Sequence, residues 1–144
     1  MNKYMKYFYT FIILFVIAFF AIPNIDVLAE SYDDYQSADA LYFASVSCGA
    51  CQKIKDDRVL LDLIDEGYNI KILYLEEDTF YTKLLYDVQF TYDFEYFGTQ
   101  LTPVLFVGDT YFVGYGDIKD NVDSNHISNM MDTKDLLTIK TAPD

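Results

Sequence analysis

Leu41-Tyr42-Phe43-Ala44-Ser45-Val46-Ser47-Cys48-Gly49-Ala50-Cys51-Gln52-Lys53-Ile54 decides how the rest of this 144-residue chain is read. The stretch opens short, apolar and aromatic, as a buried strand does, and runs through Val46-Ser47 into a Cys-x-x-Cys pair. Cys48 and Cys51 are the two cysteines of the chain. Random placement would set them three apart only about once in 70 draws, so the spacing is a signal. It is also the separation at which two thiols on the first turn of a helix can close a disulfide. Free N–H groups at that helix end favour negative charge and lower the pKa of the first thiol. Two plainer readings stand beside a reactive pair. One is an inert structural disulfide in an exported protein. The other is half of a metal site, but zinc takes four ligands and His126 is the chain's one histidine.

Downstream, strand-like and helix-like segments alternate. A helical pattern follows from Gln52 to about Glu66, with Cys51, Ile54, Leu61 and Ile64 on one face and Lys55-Asp56-Asp57-Arg58 largely away from it. Gly67 stops it. Asn69 to Leu75 reads as the next strand. Asp78 or Thr79 caps a second helix that carries Phe80, Leu84, Leu85 and Val88. Gln89 to Gly98 is aromatic and weakly patterned, and is taken as helical. Within it, Tyr92-Asp93-Phe94-Glu95-Tyr96-Phe97 reads first as core packing with solvated acids and second as a partner face. Leu101 to Val107 is a strand opened by Pro103, since proline is tolerated at strand starts. Gly108-Asp109 is a two-residue hairpin signal, returning as Thr110 to Gly114. Asp117 caps a last helix reaching about Met131, on which His126 is a surface residue rather than a base. Glu76 and Asp78 read as a strand end and a helix cap, with a proton relay to Cys51 as the sharper alternative.

The order strand, Cys48-Gly49-Ala50-Cys51, helix, strand, helix, Thr102-Pro103, hairpin, helix resembles the thioredoxin superfamily over about residues 40–131. The resemblance implies an α/β fold, a three-layer sandwich with a central mixed β-sheet flanked by helices. It also implies that Thr102–Pro103 is a cis bond packed beside the cysteine pair. On that basis Cys48 is the attacking thiolate, with a pKa in the range of about 3.5 to 7.5, and Cys51 resolves the mixed disulfide. Thr102 and Pro103 would bind substrate, the backbone at Thr102 pairing with it as an added strand. The expected substrates are protein thiols or disulfides, with a membrane electron-transfer partner to exchange electrons, no cofactor and no metal. A redox-inert accessory module for one secreted partner, of the bacteriocin-accessory type, is the alternative.

The chain also departs from that family. Ser47-Cys48-Gly49-Ala50-Cys51 lacks the tryptophan and the motif proline of thioredoxins proper. Tyr42 stands where they place a buried aspartate, so that carboxylate's role is absent here or filled by water or another acid. Cys51 and Pro103 lie about ten residues further apart than in thioredoxin, with the excess before Gly98. These features point to a small exported relative of Gram-positive type.

Residues 1–29 have a different character. Lys3 and Lys6 precede an apolar run from Tyr7 to Ile22, Pro23 and Asn24 break it, and Val27-Leu28-Ala29 offers a signal-peptidase site. The run falls short of the roughly 20 residues a span needs. A cleaved signal peptide is therefore expected, with a retained anchor as the alternative, and the protein is placed outside the cytoplasmic membrane. Residues 30–39 are read as an acidic, mobile leader and 40–144 as the folded domain. The segment 1–29 carries +1, which takes the remainder from −13 to −14. That acidity argues against nucleic acid or anionic lipid as partners and favours a soluble monomer.

Overall fold

β1 (Ala40–Ala44) is buried along its whole length, and the other described elements are arranged around it. The computed structural model describes residues 32–143. The expected signal peptide or anchor over residues 1–29 lies outside them. β2 (Ile70–Tyr74) pairs with β1 in parallel, from Ala40 opposite Ile70 to Ala44 opposite Tyr74. β3 (Val104–Val107) pairs with β1 antiparallel, and β4 (Thr110–Val113) returns antiparallel on β3. The sheet order is β2-β1-β3-β4.

A strand buried on both faces alternates its side chains between two cores. Ala40, Tyr42 and Ala44 of β1, with Leu105 and Val107 of β3, enter one core. Leu41, Phe43, Val104 and Phe106 enter the other, where Phe43 meets Phe106 edge-on at 6.0 Å between ring centres. The first core is covered by α2 (Gly49–Asp56), α3 (Val59–Asp65), α5 (Gly114–Asp123) and α6 (His126–Thr133). The second is covered by α1 (Tyr32–Gln36) and α4 (Thr79–Thr91). Helices on both faces of a mixed four-stranded sheet make the three-layer α/β sandwich of the thioredoxin-like fold. Among the described residues no helix is long and apolar enough to cross a membrane.

Local signals were obeyed at several junctions. Asp78 caps α4, its Oδ1 accepting from Phe80 N at 2.8 Å. Gly67 ends α3 with φ +109°, its N–H donating to Ile64 and that of Tyr68 reaching back to Leu63. Gly108 adopts φ +53° in the β3–β4 turn.

The expectations fail at four places. The helix drawn from Gln52 to Glu66 is two, α2 and α3, broken at Asp57-Arg58, with Arg58 at φ +56°. A continuous helix would carry the buried face from Cys51 and Ile54 on to Arg58 and Asp65. The break turns Val59, Leu60 and Leu63 inward, and Arg58 pairs outside with Asp62 and Asp65. The last helix also divides, at Ser124-Asn125, and it begins at Gly114, before Asp117. The aromatic stretch is helical only to Thr91. Beyond it Tyr92 and Phe94 turn into the core against Phe106, at 5.0 and 5.9 Å, while Tyr96 and Phe97 stay exposed. The acidic leader contains α1, which puts Tyr35 under Phe80 and Tyr81 and leaves Asp33 and Asp34 facing solvent.

Candidate active site

The site forms where β1 ends and α2 begins. Ser45-Val46-Ser47 leaves the sheet, and Cys48 takes extended angles (φ −85°, ψ 111°) as the N-cap of α2. An N-cap side chain normally accepts from a free N–H of the first turn. Here the acceptor is sulfur, with Cys51 N–H donating to Cys48 Sγ at 3.0 Å. Once the pair is reduced, that donor and the helix dipole would both stabilise a thiolate at Cys48. Cys48 and Cys51 are disulfide-bonded, with Cα atoms 5.2 Å apart. Their surroundings differ. Cys48 is half-buried at the surface, whereas Cys51 is 3 % exposed and belongs to the core under α2.

The second half of the site comes from the approach to β3. The Thr102–Pro103 bond is cis and Pro103 is buried. The Thr102 carbonyl oxygen lies 3.6 Å from Cys48 Sγ, across 54 residues of sequence. Pro103 in turn accepts from Gly114 N–H at 2.9 Å, which ties this corner to the start of α5. All four residues picked from the sequence, Cys48, Cys51, Thr102 and Pro103, therefore meet at one end of the sheet.

A carboxylate underpins the loop before Cys48. Glu76 accepts from the Ser45 hydroxyl and, at 3.2 Å, from Val46 N–H, and Ser45 Oγ lies 3.0 Å from Ser47 Oγ. The Ser45 hydrogen bond holds the Glu76 carboxyl below its usual range. Glu76 thus steadies the entry to the cysteine turn and is not engaged with Cys51. Val46, two residues before Cys48, is 68 % exposed. His126 is exposed, edge-on to Phe112 at 5.9 Å and remote in sequence from the cysteine turn. Among the described residues no group of three or more His, Cys, Asp and Glu could hold a metal ion.

The charged residue that sequence reasoning missed lies elsewhere. Asp87 on α4 is 2 % exposed and accepts from Lys83 Nζ and Ala142 N–H, each at 2.7 Å, and from the Tyr32 hydroxyl. It joins α1, α4 and the C-terminal segment on the face opposite the cysteines.

No protein-family model matches the chain, and no curated protein matches it. Solved structures similar to it include three glutaredoxins. The holo form of glutaredoxin C1 from Populus tremula x tremuloides is 18 % identical, covering 76 % of this chain and 92 % of that one, with a TM-score of 0.48. A buckwheat glutaredoxin–glutathione complex is 17 % identical over 72 % and 84 %, with a TM-score of 0.47. A glutaredoxin from Archaeoglobus fulgidus is 20 % identical over 63 % and 90 %, with a TM-score of 0.43.

Proposed function

We propose that this protein is a thiol–disulfide oxidoreductase that exchanges disulfides with protein substrates outside the cytoplasmic membrane. The observation that carries the reading is the asymmetry of the pair. Cys48 is accessible and held as an N-cap, while Cys51 is buried three residues into the same helix. In the reduced protein the Cys48 thiolate attacks one sulfur of a substrate disulfide. The new bond joins Cys48 to that sulfur, and the other substrate sulfur leaves with the electron pair and takes a proton from water. The Cys51 thiolate then attacks Cys48 Sγ, closing the intramolecular disulfide and releasing the second substrate thiolate. Run backwards, the same steps oxidise a substrate dithiol. Thr102 presents its backbone beside Cys48, where an extended substrate segment would pair with it as an added strand. An electron partner in the membrane would return the pair to its working state. The basic start and short apolar run of residues 1–29 support export.

Trapping tests the proposal. Cys51→Ser should accumulate mixed disulfides through Cys48, and reduced protein should alkylate first at Cys48 at mildly acidic pH. N-terminal sequencing of protein from its native host should begin near Glu30. Faster alkylation of Cys51 would reverse the roles. A pair that neither traps substrate nor exchanges with a dithiol would instead favour the redox-inert accessory module.

A further inference from the structure

β2 is an edge strand, and its outer side is open. Leu75 N–H donates to Ala44 O at 3.0 Å, which turns the backbone groups of Lys71 and Leu73 toward β1 and those of Ile70, Ile72 and Tyr74 outward. Two of the outward groups are satisfied locally. Ile70 N–H donates to Tyr68 O at 3.1 Å, and Tyr74 O accepts from Glu77 N–H at 3.0 Å. Ile70 O, Ile72 N–H, Ile72 O and Tyr74 N–H have no partner among the described residues. Native edges are normally blunted by a proline, a bulge, a charge or a covering element. At the opposite edge, Val113 N–H of β4 is taken by the Asp117 carboxylate at 2.9 Å. β2 reads Ile-Lys-Ile-Leu-Tyr, with Lys71 as its one charge.

A cavity of about 180 Å³ lies beside this edge, walled by Ile72 and Tyr74 of β2 and by Ile54, Leu60 and Leu61 of α2 and α3. Apolar cavities of roughly 150 Å³ take a benzene-sized guest, so a leucine side chain has room here. Side chains along an added strand would alternate between the two faces of the sheet. One set would lie beside Ile70, Ile72 and Tyr74, against the cavity, and the other beside Lys71.

Charge selects the occupant. Lys55 is exposed and lines the same cavity, and neither it nor Lys71 makes an ion pair among the described residues. On a chain of net charge −13, two unpaired cations at one edge favour an acidic visitor. A second copy would instead bring two acidic molecules together and set one Lys71-bearing edge against another. We infer that the β2 edge is a docking site for an extended, acidic segment of a partner protein, added as a further strand with an apolar side chain in the cavity.

The test titrates isotope-labelled, disulfide-bonded protein with a peptide alternating leucine and glutamate, and follows amide shifts and exchange. It reads no turnover, so its result is independent of the oxidoreductase reading. Ile72 and Tyr74 amides should exchange freely in the protein alone, then shift and gain protection with the peptide. Those of Lys71 and Leu73, bonded to β1, should be protected from the start. Replacing the leucines by alanine should weaken binding by about tenfold or more. Lys71→Glu should weaken it by about three- to tenfold and favour a leucine–lysine peptide instead. Ile72→Pro should abolish it, because the ring removes an outward N–H while sparing the ladder to β1. Should that variant fold poorly, the exchange pattern of the unmodified protein still decides. Unchanged Ile72 and Tyr74 amides at saturating peptide would overturn the inference. A native protein that prefers the leucine–lysine peptide would overturn it too, since that is what net charge alone predicts. Protection that rises with protein concentration in the absence of peptide would assign the edge to a second copy and refute the acidic partner.

Discussion

Asp87→Asn should weaken the fold by a large and pH-dependent amount. The carboxylate is buried, and its two oxygens take three donors: the Tyr32 hydroxyl and Lys83 on one, Ala142 N–H on the other. Burial by itself would raise its pKa, but Lys83, Tyr32 and the Ala142 amide outweigh burial and hold it below the usual value. Asparagine removes the charge and turns one acceptor into an NH2 group facing donors. Breaking a fully buried ion pair costs about 3–5 kcal/mol. Lys83 is 56 % exposed and stays hydrated when its partner is lost, so about 2–3 kcal/mol is the better expectation. With a urea slope of about 1.5 kcal/mol per molar, the midpoint at pH 7 should fall by roughly 1.3–2 M. The sign of the pH effect follows from the depressed pKa. Asp87 stabilises fully above its unfolded pKa of about 3.9, and this contribution fades as pH falls through the lower folded value. The gap between the two proteins should therefore close in acid. Urea melts at pH 7 and near pH 3 measure both quantities. A midpoint change below about 0.3 M at pH 7, or an equal gap at both pH values, would refute the reasoning.

Two further outcomes follow from the geometry. Gly108→Ala forces a Cβ into a positive-φ turn and to within 3.1 Å of Lys134 Cβ, so it should cost about 1–2 kcal/mol, with Tm falling by about 4–8 °C for each. An unaltered Tm would mean that the turn relaxes freely. Glu76→Gln should speed amide exchange at Val46, and the native protein should lose the same protection as pH falls through the lowered Glu76 pKa. Exchange at Val46 that ignores both changes would show that Glu76 does not hold this loop.

What the sequence disclosed was local. The apolar run into Cys48, the three-residue thiol spacing, the Asp78 cap and the Gly108-Asp109 turn each lie within a few residues, and each formed as read. The break at Arg58 was hidden because Lys55-Asp56-Asp57 looks like the solvent face of one continuous helix. Such a helix would turn Arg58 and Asp65 toward the core, and the break instead buries Val59, Leu60 and Leu63 against the sheet. Asp87 was hidden for a related reason. An acid within an amphipathic helix reads as solvated, and its partners Tyr32 and Ala142 each lie 55 residues away. The C-terminal segment had no periodicity to reveal it. Its amides are held by side chains instead, Leu137 N–H by Tyr92, Ile139 N–H by Gln36 and Lys140 N–H by Thr91. The signal it did carry was Leu136, Leu137 and Ile139 in an otherwise polar tail, of which Leu136 is buried.

The polar side chains divide by face, and the division separates stability from chemistry. The cysteine pair, Tyr42 and their cavity belong to the core under α2 and α3. Asp87 projects from α4, which covers the opposite core, and the tail closes over that side with Leu136. Fully buried Phe43 and Phe106 lie on the Asp87 side, and Tyr42 and Leu105 on the cysteine side, so the sheet itself stands between the two sets. Hydrogen bonds to Asp87 reach neither Cys48 nor Thr102. Substitutions more than about 7–10 Å apart with no shared partner act independently. Asp87→Asn should therefore lower the urea midpoint while leaving the alkylation rate of Cys48 in the folded protein unchanged. If Asp87→Asn altered Cys48 reactivity under conditions where the fold is fully populated, the two faces would be coupled through the sheet. The separation argued from their partners would then be wrong.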